Sequence, residues 1–264
     1  MTVTKDLETL QTEPEVQKIK YPPGNLESQE PPLESELHLR QILLLIQMLE
    51  YFWQDRQDFY AFGNLTIYYS SEQDKTRDFR GPDFFVVLKT ERKPRKSWVV
   101  WEEGGKYPNV IIELLSPSTA NVDRTDKKEI YQDTFRTPEY FWFSPTRLEF
   151  KGFSLIKGSY EELELNESGW FWSDQLQLFL GIHEQQLRFF TTEGELVPTP
   201  EESAQIARQQ ARNAEESARM AEELAQTEKQ QRETVEQQLE AERQQKEKLA
   251  AKLRELNIDP DTLE

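Results

Sequence analysis

Residues 110–115 read Val-Ile-Ile-Glu-Leu-Leu, a run that is apolar except for Glu113. A strand that is apolar on both faces is typical of the centre of a sheet with helices packed over both sides. A carboxylate inside such a strand is costly to bury unless a cation or a hydrogen-bonding partner compensates its charge. Glu113 is therefore predicted to be functional or specifically paired.

A second acid, Asp83, stands directly before another apolar run. Gly81 and Pro82 precede it, and residues 84–88 after it have strand character. If the two apolar strands are neighbours, their carboxylates belong to one site. Considered alone, Asp83 is better explained as a turn residue that hydrogen-bonds its own backbone.

A helix is predicted between Asp123, its N-cap, and Pro138, and it carries Lys127 and Lys128. One helical step of about 100° separates the two lysines, so only one of them can face the strand ends. A single lysine at such a position is usually a solvated residue. A functional role for Lys127 is indicated only by its combination with the two acids. Two acids and a lysine together indicate divalent-metal chemistry on phosphate esters.

The composition divides the chain into three parts. Only 36% of the 264 residues are hydrophobic, and all six Trp lie between Trp53 and Trp172. We predict a flexible N-terminal arm over residues 1–34, one folded domain over 35–197 and a C-terminal helix over 198–264.

The pattern of the folded domain predicts an α/β fold with a mixed central sheet flanked by helices. Apolar residues recur every three or four positions from Ile42 to Trp53, which indicates an amphipathic helix that begins near Ser35. His38, near its start, is interpreted as a surface or boundary residue. Strands are predicted at 65–69, 84–88, 98–101, 110–115, 140–143, 148–150, 153–156 and 187–190, with turns at Gly152, Gly158 and Gly194.

The C-terminal segment is rich in Ala, Glu, Gln, Arg and Lys, which predicts one long helix. Its apolar residues alternate steps of four and three, a weak coiled-coil seam interrupted by charges. Self-association and a solvated single helix both fit this pattern. The seam consists of Ala207, Ala211, Ala214, Ala218, Ala221, Ala225, Glu228, Arg232, Val235, Leu239, Glu242, Lys246, Leu249, Leu253 and Leu256.

The chain is acidic, with a formal net charge of −17, but residues 37–200 carry 19 basic and 25 acidic residues. The excess of acidic residues makes nonspecific DNA binding less expected. It does not exclude a nuclease, because a bound metal ion would neutralise part of the negative charge. There is no Cys, and the longest apolar run, residues 42–46, is too short to span a bilayer. A cytoplasmic protein with no membrane partner is expected.

Five motifs occur in an order that resembles the Uma-two family of bacterial restriction endonucleases, a branch of the PD-(D/E)XK nuclease superfamily. They are residues 81–83 (Gly-Pro-Asp), 112–119 (Ile-Glu-Leu-Leu-Ser-Pro-Ser-Thr), 123–127 (Asp-Arg-Thr-Asp-Lys), Tyr131 and 138–142 (Pro-Glu-Tyr-Phe-Trp). The resemblance covers residues 35–190 and implies a restriction-endonuclease-like fold.

The resemblance also implies a metal-dependent endonuclease that hydrolyses DNA. By this resemblance Asp83 and Glu113 are catalytic residues and bind Mg²⁺, with Mn²⁺ as the alternative ion, and Lys127 orients the water or stabilises charge on the phosphate. The superfamily usually has its lysine two residues after the second acid, where this chain has Leu115. In this branch the lysine lies on the next helix, where Lys127 matches it and Lys128 is the fallback.

The sequence also fits other functions. A non-catalytic nuclease-like protein could recruit a partner, or a second copy of the chain, through the C-terminal helix. The basic segment 89–96, with Arg77 and Arg80, fits either contacts to a nucleic-acid backbone or a solvated hairpin loop. Ser116 and Ser118 are interpreted as loop and capping residues. Glycosidase, histidine-triad and phosphate-loop chemistry fit the residues less well.

Overall fold

The computed structural model describes residues 35–69, 79–116 and 123–255, without the side chains of residues 123 and 124. The chain forms two units, the first ending at Pro200 and the second beginning at Glu201. The predicted arm over residues 1–34 lies outside the described residues, as do Arg77, Ser118 and Leu256, and so does the side chain of Asp123.

The first unit begins with helix α1 (Glu36–Phe52), whose N-cap is Ser35; the Ser35 side chain accepts a hydrogen bond from the His38 N–H. A helical segment with π-helical turns at Asp123–Lys127 and Ile130–Thr134, here called the crossover helix, connects two strands of the main sheet. The strands are β1 (Phe59–Phe62), β2 (Ile67–Tyr68), β3 (Phe79–Arg80), β4 (Phe84–Leu88), β5 (Trp98–Val99), β6 (Val110–Leu114), β7 (Glu139–Ser144), β8 (Glu149–Ile156), β9 (Ser159–Glu162), β10 (Phe171–Ser173), β11 (Leu178–His183) and β12 (Gln186–Phe190).

Six of the described strands form the central sheet, in the order β1-β4-β6-β7-β8-β9. Strands β6 and β7 are parallel and are joined through the crossover helix, whereas the other neighbouring pairs are antiparallel. Two smaller sheets have the orders β10-β11-β12 and β3-β2-β5. The predicted mixed α/β fold is therefore confirmed.

Strand β6 is buried on both faces, as its unbroken apolar sequence predicts. Val110, Ile112 and Leu114 belong to the core that includes apolar residues of α1 and of β10 to β12. Ile111 belongs to the core on the opposite face, where Tyr131 of the crossover helix packs. All four side chains are fully buried. A charged side chain on β6 is therefore shielded from water as well.

The turn predicted at Gly152 is wrong, because this glycine lies inside β8 opposite Phe141. The two short strands predicted on either side of it are one continuous strand. A Cβ at position 152 would lie 2.7 Å from the Phe141 ring, so the glycine makes room for an aromatic side chain. Gly158 and Gly194 have positive φ angles of 97° and 84° and do lie in turns.

The second unit begins at Glu201. Its described residues belong to helix α2 (Pro200–Glu255), in which no residue is buried. Most apolar side chains of the predicted seam that the structure describes are exposed, with Val235 at 63% and Leu239 at 66% of their full area, while Leu253 is half-buried. The predicted coiled coil thus stays a prediction. In the described part of the chain, no helix has both the length and the apolar character needed to cross a membrane.

Glu139, the first residue of β7, connects the central sheet to the β10-β11-β12 sheet and is only 3% exposed. The Ser173 hydroxyl donates to its Oε2, and the backbone N–H groups of Asp174 and Gln175 donate to its Oε1 at 2.7 and 3.2 Å. Burial raises the pKa of Glu139 to about 7, although the three hydrogen bonds lower it. The folded protein therefore holds this proton more tightly than the unfolded chain does.

Because the folded-state pKa is raised, Glu139 contributes stability that is complete below about pH 4.5 and is lost as the pH rises through about 7. Between pH 5.5 and 8 the wild type should lose about 2 kcal/mol of unfolding free energy relative to Glu139→Gln. Urea unfolding followed by Trp fluorescence measures this difference in the first unit. Parallel pH profiles of the two proteins would contradict the assignment.

Candidate active site

The strand register sets Asp83 and Glu113 against each other. Phe84 of β4 is paired with Ile112 of β6, and Phe85 with Ile111. Continuing this antiparallel register by one residue puts Asp83 directly opposite Glu113. Directly opposed residues of antiparallel strands project from the same face of a sheet, so the two carboxyl groups share one face.

The Asp83 carboxylate is held by contacts to both of its oxygens. The backbone N–H of Leu114 donates to Oδ2 at 2.7 Å, and His38 Nε2 lies 2.9 Å from Oδ1. Strand β4 begins only at Phe84, so the Asp83 side chain serves as acceptor for Leu114 where β4 supplies no strand partner. The carboxylate thereby bridges α1 and β6.

Burial alone would raise the pKa of Asp83, but the hydrogen bond with His38 and the positive charges of His38 and Lys127 outweigh it. The pKa of Asp83 therefore lies below its usual value. A hydrogen bond with the Glu113 carboxyl group acts in the same direction. The two acids are thus close enough to share a proton or a cation.

Gly63 fixes the backbone of Asp83 from the other side. A Cβ at Gly63 would lie 2.3 Å from the Asp83 carbonyl oxygen and 2.4 Å from the Ile42 side chain. The next backbone N–H, that of Asn64, lies 3.2 Å from the same carbonyl oxygen and from that of Pro82. Only glycine allows this close approach, which anchors the turn before β4.

Glu113 has no exposed surface, and both of its oxygens have partners. The Tyr131 hydroxyl donates to Oε1 at 2.6 Å, and Lys127 Nζ donates to Oε2 at 3.0 Å. Lys127 and Tyr131 are four residues apart, so both extend from the same side of the crossover helix. This helix therefore supplies a cation and a hydroxyl to the acid of β6.

The structure brings Lys127, and not its neighbour, to the acid pair. Lys128 Nζ lies over the Phe153 ring, 3.5 Å from the ring centroid. Burial lowers the pKa of Lys128, while the charge of Glu162 opposes that shift. Although the two lysines are adjacent in the sequence, Lys127 neutralises Glu113, whereas Lys128 packs on an aromatic ring.

The surface interpretation of His38 is wrong, since this residue is only 7% exposed. It lies on the buried stripe of α1 that continues through Ile42, Leu45 and Leu49. This spacing was visible in the sequence, but nothing local in the sequence indicates that the partner is Asp83, 45 residues away. The sequence places Tyr131 on a helix face and in a family motif, but neither pattern indicates that its hydroxyl binds Glu113.

Leu115, at the position where the superfamily usually has its lysine, is 3% exposed and apolar. Ser116 is the last residue described before the gap. In the basic segment, Arg95 is buried against Tyr60 and Trp98 and pairs with Glu103 at 2.6 Å. Arg95 is therefore part of the folded core, which neither prediction for this segment described.

The acid pair suits Mg²⁺, which is held by one or two carboxylates and completes its shell with water and phosphate oxygens. In the ranges that the structure describes, no three His, Cys, Asp or Glu residues group in a way that could hold a metal. An ion at this site would have two protein carboxylates, those of Asp83 and Glu113, and water or phosphate oxygens as its other ligands. Asp83 and Lys127 keep 16% and 19% of their side-chain surface exposed, whereas Glu113 is fully buried, so solvent reaches the site at Asp83 and Lys127.

A mixed sheet with an opposed acid pair and a lysine on the next helix defines a nuclease-like α/β protein. The family model described as "Putative restriction endonuclease", Uma2, matches residues 4–188, and the chain belongs to this family. No protein with a curated function matches the chain. A solved structure described as "a putative nuclease belonging to DUF820 from Anabaena variabilis" is 14% identical, covering 51% of this chain and 70% of the other, with a TM-score of 0.38.

Replacing Lys127 by Met should lower the free energy of unfolding by about 3 kcal/mol, because Glu113 keeps a buried charge without its cation. Lys128→Met is the matched control and should cost about 1 kcal/mol, the size of a cation–π contact. Urea unfolding at pH 7, followed by Trp fluorescence, measures both changes. Equal losses for the two variants would show that the Lys127–Glu113 ion pair contributes no more to stability than the contact of Lys128 with Phe153.

Proposed function

We propose that this protein is a metal-dependent endonuclease that hydrolyses DNA phosphodiester bonds. Asp83 and Glu113 are its catalytic acids and metal ligands, and Lys127 is its catalytic lysine. Mg²⁺ is the ion that this ligand set favours, with Mn²⁺ as a substitute. The proposal agrees with the membership of the restriction-endonuclease family.

One observation carries this proposal. The carboxylate of Glu113 in β6 and that of Asp83, the residue before β4, are opposed when the strand register is continued, and an ammonium group lies 3.0 Å from Glu113. A fold has no structural need for an acid pair next to a central strand, because an apolar pair would be cheaper to bury. Such groupings are typical of functional sites.

The residues have separate tasks in the reaction. The bound ion would supply positive charge to the scissile phosphate and raise the acidity of water. Lys127, partly exposed, would orient the attacking water or stabilise the negative charge that builds up on the phosphate oxygens. Water attacks phosphorus, the ester P–O bond breaks, and the products are a phosphate monoester and a hydroxyl, without a covalent enzyme intermediate.

Three other groups hold this arrangement in place. Tyr131 fixes one oxygen of Glu113, which leaves the second oxygen directed towards Lys127. His38 and the Leu114 N–H fix the orientation of Asp83. Because these partners come from α1, β6 and the crossover helix, the acid pair is preorganised before substrate arrives.

A second function is a non-catalytic binding or assembly protein with the same fold. The favouring observation is that Lys127 and Tyr131 already neutralise Glu113, while His38 already pairs with Asp83. The acids are thus stable without an ion. The exposed apolar residues of α2 would then recruit a partner protein or a second copy of the chain.

Plasmid cleavage tests the first function. The wild type should nick supercoiled DNA with Mg²⁺ or Mn²⁺ and not with EDTA. Asp83→Asn, Glu113→Gln and Lys127→Met should each reduce the rate by about 100-fold or more, because each removes a charge that acts on the phosphate.

Asp58→Asn is the matched control, since Asp58 also directly precedes a strand but is exposed and pairs with Arg56. It should cleave like the wild type. The same residual cleavage in all five proteins would assign the activity to a contaminant and remove the proposal. Unchanged Trp fluorescence would exclude misfolding of the variants.

Removal of α2 tests the role of the helix. A chain that ends at residue 197 should keep its Trp fluorescence spectrum, because all six Trp lie before that point. Its oligomeric mass, measured by light scattering, should fall to that of a monomer. An oligomeric state unchanged by the truncation would contradict self-association through α2.

A further inference from the structure

A groove lies beside β1, which is an edge strand of the central sheet within the described residues. Its cavity volume is about 560 Å³, a size typical of pockets that bind small organic groups. Its lining includes aromatic residues of β1 and the basic residues Arg92, Lys93 and Arg95. Glu50 also lines the groove and pairs with Arg92 at 3.0 Å, so the groove combines aromatic rings with basic side chains that are paired with carboxylates.

Three rings form a stack that runs from the core to this groove. Trp98 and Tyr60 are stacked with centroids 5.6 Å apart, and Tyr60 and Phe62 are stacked at 5.9 Å with an angle of 12° between the ring planes. Trp98 is fully buried and Tyr60 is 7% exposed, whereas Phe62 is 42% exposed. The stack therefore ends in an aromatic ring at the surface with a rigid support beneath it.

The ring of Phe62 belongs to the same face of the sheet as the acid pair. Phe62 is paired with Phe85, and Asp83 lies two residues before Phe85. Residues two apart in a strand share a face, and ordinary strand spacing places the Cα atoms of Phe62 and Asp83 about 8 Å apart. The residue after Phe62, Gly63, packs directly against the Asp83 carbonyl.

The basic side chains of the groove differ in how buried their ion pairs are. Arg95 is buried in its pair with Glu103, so it supports the ring stack. Lys93 pairs with Glu91 at 3.2 Å, and the two side chains are 49% and 74% exposed. Because exposed ion pairs contribute little free energy, Lys93 can exchange this partner for a phosphate.

We propose that Phe62, supported by Tyr60, stacks on an unpaired base of a DNA strand while Lys93 contacts a neighbouring phosphate. Aromatic side chains bind bases of single strands in this way, whereas the bases of a duplex are already stacked on one another. The subsite thus selects single-stranded or locally opened DNA. This inference rests on the proposed endonuclease function, because it assigns Phe62 and Asp83 to the same DNA strand.

Fluorescence anisotropy of a labelled single-stranded oligonucleotide, in EDTA so that no cleavage occurs, tests the subsite. Phe62→Ala should weaken binding about tenfold, the effect of losing one base–aromatic stack, and Phe62→Trp should retain it. Phe52→Ala is the matched control, because Phe52 is 43% exposed and does not line the groove. It should bind like the wild type.

A strand that contains 2-aminopurine gives a second measurement, since stacking on an aromatic ring changes the fluorescence of this base. The change on binding should be present in the wild type and Phe52→Ala and absent in Phe62→Ala. Identical binding and identical fluorescence changes in Phe62→Ala and Phe52→Ala would overturn the subsite, even if the protein cleaves DNA. Phe62-dependent binding without any metal-dependent cleavage would support the subsite and overturn the endonuclease function.

Discussion

The charge of Glu113 is the constraint on which the first unit depends. This carboxylate has no exposure to water, and the crossover helix compensates its burial by bringing Lys127 and Tyr131 to its two oxygens. The parallel arrangement of β6 and β7 requires a crossover connection between them. The connection that the topology needs thus also carries the cation that the buried acid needs.

The second acid is held by contacts of a different kind. Asp83 is the last residue before β4, and its carbonyl oxygen lies against Gly63, where a side chain would clash. Its carboxylate accepts one hydrogen bond from the Leu114 N–H of β6 and contacts His38 of α1. Its position opposite Glu113 follows from the β4–β6 register. The pairing that begins at Phe84, together with the hydrogen bond from the Leu114 N–H to Asp83, therefore fixes the position of one acid relative to the other. Such rigidity suits a site that must hold a small ion and a phosphate in a fixed geometry.

The sequence predicted the mixed α/β fold and the strand that contains Glu113, because unbroken apolar runs and turn residues are local signals. The helical pattern alone did not distinguish Lys127, which the family resemblance favoured, from Lys128, since the choice depends on how the helix is rotated against the sheet. The contact of His38 with Asp83 was missed because it joins distant segments. Gly152 was misinterpreted because its role is to accommodate Phe141 on a neighbouring strand, which only the register reveals.

The proposed function requires that Asp83 and Glu113 jointly bind a divalent cation. A crystal structure of the protein soaked with Mn²⁺, with diffraction measured for the anomalous scattering of manganese, tests it most directly. We expect an anomalous peak within coordination distance, about 2.2 Å, of oxygens from both carboxylates. A structure without a peak at the acid pair at millimolar Mn²⁺, with Lys127 still bound to Glu113, would contradict it.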